Sequence, residues 1–311
     1  MDSIKKIIIQ LSLFSPRLGE NEIKAAKYIE SFLSSQNVDF SVQTFKTEVP
    51  ITIRAELFLD DQKIPCLGGS FESGKITSAS QVHFSPHSDF IETISYPSDP
   101  GIYISRINQS LLEKAVKISG EVMVEKFYFH SKNILVGNTV NPEKIVFAHY
   151  DSLGGGALDN AGSVAICLNL LTENRDLISE NLFVFVGNEE LSYDSPIYWG
   201  KGYREFEKIY SKLLNLAKEI VVVDGVGVTA PQTIVENIED AFPVRNLNVL
   251  ASKVTWISSV QSEVLKCYHC LEDTPDKLNQ DFLSQSQSMI KQKLLNSVWA
   301  GRIDLTIWIM C

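Results

Sequence analysis

Three apolar runs in this chain each stop on ionisable residues: KIVFAHYD (144–151), LFVFVGNEE (182–190) and IVVVDGVG (220–227). Unbroken runs of Val, Ile, Leu and Phe mark strands buried on both faces, as in a parallel sheet covered by helices above and below. The stretches between them supply those helices: GSVAICLNLL after the first run, YREFEKIYSKLLNLAKEI after the second. Strands alternating with helices predict an α/β fold, with a mixed, largely parallel central sheet flanked by helices on both faces. In open sheets of this kind, ligands bind beyond the carboxyl ends of the strands. The polar endings therefore bring His149, Asp151, Glu189, Glu190 and Asp224 to one rim.

The N-terminal residues add to this layer. Ile4, Ile7, Ile8 and Leu11 recur at helical spacing, so MDSIKKIIIQLSLF reads as an amphipathic helix. Its apolar run is broken by Gln10 and Ser12 with no small-residue cleavage site after it, unlike a signal peptide. Asn21 is placed to cap a second helix carrying Ile23, Ala26, Ile29, Phe32 and Leu33 on one face. VDFSVQTF then alternates like a strand, with Val38, Phe40, Val42 and Phe45 as its buried set. From 46 to 130 the texture changes to short strand-like runs separated by Gly, Pro, Ser and Asp. The expected organisation is one α/β unit, residues 1–45 and 131–311, interrupted by a small β-rich insertion at 46–130.

Composition narrows the classes of function. The 311 residues carry a formal net charge of −10 and no dense Lys/Arg stripe, so no nucleic-acid partner is expected. No run approaches the roughly 20 apolar residues of a membrane span, and the chain reads as cytoplasmic. Five scattered cysteines do not make a disulfide framework. Cys267 and Cys270 form either a local disulfide or a packed pair of thiols, because a structural zinc knuckle needs a second pair of ligands nearby. GSFESGK (69–75) imitates a phosphate loop, but Ile76 stands where Ser or Thr is required. His83, His87 and His130 have no acids at ligand spacing.

One segment concentrates the polar residues. HYDSLGGGALDN (149–160) sets His149, Asp151 and Asp159 around three consecutive glycines, and His269 follows later in YHCLEDTPDKL. Burying so many acids at one rim is costly unless positive charge sits among them. A divalent metal meets that need, and imidazole with carboxylate suits zinc, with manganese or cobalt as relatives. One acid too many for a single tetrahedral site points to two metals, roughly 3.5–4 Å apart, with a shared ligand.

The order H-x-D, G-A-x-D-N, E-E, D, then Y-H followed by DTPD resembles the co-catalytic zinc aminopeptidases of metallopeptidase family 28, over residues 15–45 and 133–311. The resemblance implies that His149 and Asp224 bind one zinc, Glu190 and His269 the other, and that Asp159 bridges them. It implies that Asp151 stands behind the metal and orients its ligands, and that Glu189 is the general base. Tyr268 matches a tyrosine that in some members helps hold the oxyanion. Two zinc ions per chain, peptide substrates and release of the N-terminal residue are the implied cofactors, partners and reaction. The family also holds glutaminyl-cyclase-like and carboxypeptidase-like members, and non-catalytic relatives of the fold are known; these are the alternative readings. Where residues 46–130 stand, some members carry a protease-associated or lid domain. Either that or a local elaboration packing on the core would cap the site. An oligomer is compatible with the sequence. Two positions depart from the family pattern. Ala161, Gly162 and Ser163 follow Asn160 in an altered order, and LSYDSPIYWGKGYREFE replaces a glycine-rich segment after Glu190. The aromatics Tyr193, Tyr198, Trp199 and Tyr203 in that stretch are candidates to line a substrate pocket.

Overall fold

The computed structural model describes residues 3–295; Cys311 and the end of the 131–311 unit lie outside the described residues. The chain opens with α1 (Ser3–Ser12) and α2 (Glu20–Ser35). Ile4, Ile7, Ile8 and Leu11 are all buried, as the helical spacing predicts. The expected cap at Asn21 is corrected. Gly19 holds the cap position at a φ of 56°, and the Asn21 amide donates to the Pro16 carbonyl instead. The chain turns two residues earlier because only glycine adopts that left-handed conformation without a steric cost.

Next come β1 (Ser41–Leu59), the short strands β2 (Gln62–Ile64), β3 (Leu67–Gly68), β4 (Gly74–Ile76), β5 (Val82–His83) and β6 (Ile102–Tyr103), the short helix α3 (Gln109–Lys114), and β7 (Ile118–Gly137). β1 and β7 form one long antiparallel ribbon, paired from Ser41↔Leu135 to Leu59↔Ile118 with a bulge between Thr52 and Arg54. Lys46 and His130 face each other about a quarter of the way along it, so both strands run on without a break past positions 46 and 130. At the far end β3, β6 and β5 make a second, small sheet. Leu57, Leu59, Ile64, Ile76, Ile102, Ile104 and Val122 bury a satellite core there.

In the first half of β1, Gln43, Phe45, Thr47 and Val49 alternate as buried residues, while Val42 is 39% exposed. An alternation counted from Val38 puts Val42 on the wrong face, because residues 38–40 precede the strand. Gln43 is held inward instead: its amide donates to the Glu205 carbonyl (2.6 Å) and accepts from Asn133 (3.0 Å).

The remaining elements alternate: β8 (Lys144–His149), α4 (Gly162–Glu173), α5 (Asp176–Glu180), β9 (Leu182–Val186), α6 (Lys201–Leu216), β10 (Glu219–Val223), β11 (Gln232–Ile234), α7 (Leu247–Leu250), β12 (Val254–Ser258), α8 (Gln261–Val264) and α9 (Gln280–Leu295). The sheet order is β11-β12-β10-β8-β9-β7-β1-β2. The four central strands β12, β10, β8 and β9 run parallel, and the flanking pairs are antiparallel.

Strand alternation divides the core in two. Val146 and Ala148 of β8 pack toward α1, α2, α4 and α9, while Ile145 and Phe147 pack toward α6. Phe147 meets the rings of Tyr203, Phe206 and Phe242 at centroid distances of 5.1–5.5 Å. Each such buried ring contributes about 1.5–3 kcal/mol. Tyr203 is therefore a core residue. Among the described residues no helix is long and apolar enough to cross a membrane. Because β8, β9 and β10 are parallel, their carboxyl ends open on one rim.

Candidate metal centre

Each polar side chain reaches that rim for a local reason. His149 ends β8, and Asp224 directly follows β10. Successive residues of a strand point in opposite directions, so Glu189 and Glu190 need a turn to serve one site. Asn188 provides it with a φ of 54°, and both glutamates then line the same cavity. His269 is itself held at a φ of 53°. Asp159 lies in the short kinked segment before α4, next to a cis peptide bond to Asn160.

These residues converge as two trios. One ligand atom from each of His149, Asp159 and Asp224 falls within 4.8 Å of the others, and the same holds for Asp159, Glu190 and His269. Asp159 belongs to both. Its Oδ1 lies 3.1 Å from His149 Nε2 and its Oδ2 3.3 Å from His269 Nε2. Asp224 Oδ1 is 3.4 Å from His149 Nε2, and Glu190 Oε2 is 2.8 Å from His269 Nε2.

The opposite ring nitrogens face positioning groups. His149 Nδ1 lies 3.5 Å from Asp151 Oδ1, while the other Asp151 oxygen accepts the Glu190 N–H at 2.8 Å. His269 Nδ1 lies 3.1 Å from the Thr93 carbonyl. Imidazole ligands of metals are oriented by carboxylate and carbonyl acceptors of this kind.

The donor set fits divalent cations. Glu190 Oε1 and His269 Nε2 are buried without a hydrogen-bond partner; His269 Nε2 approaches Glu190 closely yet outside hydrogen-bond geometry. Without cations, acids and imidazoles answer one another. Burial disfavours charged His149 and His269, but the surrounding carboxylates outweigh it and raise both. Burial, with the Asp159 charge next, pushes Glu190 up to about 7. Glu189 is raised well above the usual carboxylate range, chiefly by burial and then by Glu190, Asp151 and Asp224 against the pull of His149.

The three glycines hold this geometry. A Cβ on Gly154 would sit 2.2 Å from the Cys270 carbonyl oxygen, and one on Gly155 2.2 Å from that of Asp273. Gly156 has a φ of +68°. Bare backbone is needed because the loop docks directly on residues 270–273. Gly155 N–H donates to the Cys270 carbonyl (2.8 Å) and Ala157 N–H to the Asp273 carbonyl (3.2 Å). The Asp273 carboxylate accepts the Leu158 (2.7 Å) and Asp159 (3.1 Å) amides. From below, buried Arg17 donates to the carbonyls of Tyr150 (2.5 Å) and Gly156 (2.8 Å). Arg17, Thr93 and the anchoring role of Asp273 have no signal in the sequence except that Asp273 opens DTPD. Cys267 and Cys270 are free thiols with Sγ atoms 3.3 Å apart.

The site opens into a cavity of about 310 Å³. Its walls include Thr93 and Ile94, then Leu153, Tyr198, Trp199, Trp256, Val264, Leu265 and Tyr268. The Tyr268 ring stacks on His269 at 3.5 Å between centroids. Of the four candidate aromatics, Tyr198 and Trp199 line the cavity. Tyr193 instead donates to the Phe71 carbonyl (2.8 Å) and packs on its ring, fastening the loop after β9 to residues 46–130.

Residues 134–235 match Peptidase family M28. No protein of curated function matches the chain by sequence. Among solved structures, a zinc aminopeptidase from Bacillus subtilis is similar at a TM-score of 0.68 and 15% identity, over 95% of this chain and 94% of that one. An aminopeptidase from Aneurinibacillus sp. strain AM-1 gives 0.63 and 16%, over 94% and 93%. The glutaminyl cyclase of Porphyromonas gingivalis gives 0.55 and 12%, over 95% and 98%. The matched segment contains β8, β9 and β10 with His149, Asp159, Glu189, Glu190 and Asp224 on or after their endings, and the likeness to these solved structures extends the shared fold over nearly the whole chain.

Proposed function

We propose that this chain is a two-zinc aminopeptidase that removes N-terminal residues from peptides. The observation that carries the reading is Asp159, whose two oxygens face the Nε2 atoms of two different histidines, each backed by a further carboxylate. In this reading His149 and Asp224 hold one cation, Glu190 and His269 the other, and Asp159 lies between them. When bound, such a pair polarises a peptide carbonyl and lowers the pKa of water.

The chain's own groups do the rest. Glu189 takes the proton of the attacking water and delivers it to the leaving amine nitrogen. It lines the cavity beside the ligand set, where one carboxylate can act as base and then as acid. We assign to Tyr268, which lines the cavity with its ring stacked on His269, donation of its O–H to the oxygen on which negative charge develops. Trp256, Val264 and Leu265 form a wall for the side chain of the first residue.

The test is metal content and turnover together. The purified protein is expected to hold two zinc ions per chain and to hydrolyse aminoacyl chromogenic amides. Glu189→Gln should lower kcat by about 10²–10⁴-fold with zinc content unchanged. A variant that kept full activity would remove Glu189 from the mechanism. One zinc per chain with cyclisation of N-terminal glutaminyl peptides would instead favour the reaction named for the Porphyromonas gingivalis protein.

A further inference from the structure

Building on the aminopeptidase reading, we propose that the substrate chain beyond the scissile bond lies in a second cavity and pairs as an added strand with the free edge of β1 at Pro50–Thr52. This cavity, about 430 Å³, adjoins the catalytic one: Thr93 and Leu153 line both. Its remaining walls are largely apolar, among them Ile51, Leu67, Tyr96 and Leu271.

One side of the cavity is β1 itself, residues 50–55. The edge of β1 away from β7 pairs with β2 only at Leu57–Leu59, and with no other strand among the described residues. Two observations fix which backbone groups face that edge. Val124, opposite Thr52, turns its N–H and C=O outward to Ser73 Oγ (2.7 and 3.1 Å). The Thr52/Val124 pair is thus a non-hydrogen-bonded one, and the Thr52 N–H and C=O point away from β7. Two pairs along, the Glu48 carbonyl accepts the Tyr193 N–H at 3.1 Å on that same outer side. Pro50, between them, has no N–H to leave unpaired, as befits an edge position.

The cavity is therefore bordered by an acceptor at Pro50 and a donor and acceptor at Thr52. That is the pattern an extended peptide meets by strand addition, with main-chain bonds for affinity and alternate side chains in pockets. Continuity with the catalytic cavity at Thr93 and Leu153 selects the occupant: the same peptide, continuing past the bond to be cut. The expected substrates are unstructured oligopeptides with at least two or three residues after the scissile bond, tolerant of sequence there.

The experiment compares a leucyl dipeptide amide with tri-, tetra- and pentapeptide amides sharing its N-terminal residue. The expected result is a kcat/KM that climbs about tenfold and then levels off. N-methylation of single backbone nitrogens in the third or fourth residue should reverse about three- to tenfold of that gain, the worth of one hydrogen bond. Thr52→Pro should lower the pentapeptide-to-dipeptide ratio similarly. A flat length profile, or methylated peptides cut as fast as their parents, overturns the proposal while leaving the aminopeptidase reading intact. No turnover of even the dipeptide amide would defeat both.

Discussion

Replacing Gly155 with alanine tests the docking of the glycine loop directly. The added Cβ would lie 2.2 Å from the Asp273 carbonyl oxygen and 2.9 Å from the Leu271 carbonyl oxygen, both backbone atoms without side-chain freedom to move. Ordinary contact begins near 3.4 Å, so the loop must lift by roughly 1 Å. That stretches the Gly155–Cys270 bond (2.8 Å) and the Ala157–Asp273 bond (3.2 Å) beyond hydrogen-bond range. Two lost bonds cost about 2 kcal/mol, and buried groups left unpaired add about 1–3 kcal/mol. The expected loss is about 3–5 kcal/mol, which for a chain of this size lowers Tm by roughly 5–8 °C. Thermal unfolding with and without zinc reads the first effect. A zinc-binding isotherm reads the second, since Asp273 also holds the Asp159 amide: affinity should fall. A variant within about 1 °C of the parent with unchanged zinc affinity would refute the argument that the glycines exist for this contact.

Two further perturbations follow from the same geometry. Asp151→Asn loses the carboxylate behind His149 while keeping an acceptor for the Glu190 N–H, and should weaken zinc binding about 10–100-fold with little change in fold; equal affinity would remove Asp151 from the site. Glu22 is buried beneath the site, with Oε2 unpartnered; burial, then the charge of Asp151, raises it well above its ordinary 4.5 despite bonds from Ser131 and Asn188. The native state therefore keeps a proton that the unfolded chain releases above about pH 4.5, so this residue's contribution to stability falls as pH rises toward the native pKa. Glu22→Gln should gain progressively on the parent as pH rises above about 4.5 in urea titrations with chelator present, and converge with it at lower pH; a constant offset would refute the assignment.

The strand endings were legible because buried parallel strands read as continuous apolar runs, and His149, Glu189, Glu190 and Asp224 sit where such runs stop. Helix α1 was legible because four isoleucine and leucine residues keep one face. The Val42 face was not, because its parity is set by Gln43 bonding to residues 90 and 162 positions away. Thr93 and Arg17 were invisible for a related reason. Thr93 acts through a carbonyl that any residue carries, and the two carbonyls that Arg17 holds lie more than 130 positions away. The glycine run was conspicuous, but its cause lies in the docked backbone of residues 270–273, which no local pattern encodes.

The link from Thr93 to His269 also sets a timetable. The first trio draws on parallel strands and a loop within residues 149–224, whereas His269 is steadied by a residue carried on the β1–β7 ribbon. That ribbon joins positions separated by 59 residues at Leu59–Ile118 and by 94 at Ser41–Leu135. Contacts of such range form slowly, since the intervening chain must be closed first. The first trio needs a closure of similar range, 75 residues where Lys144 meets Glu219, so both trios wait on long-range contacts, and Thr93 can steady His269 only once its own are made.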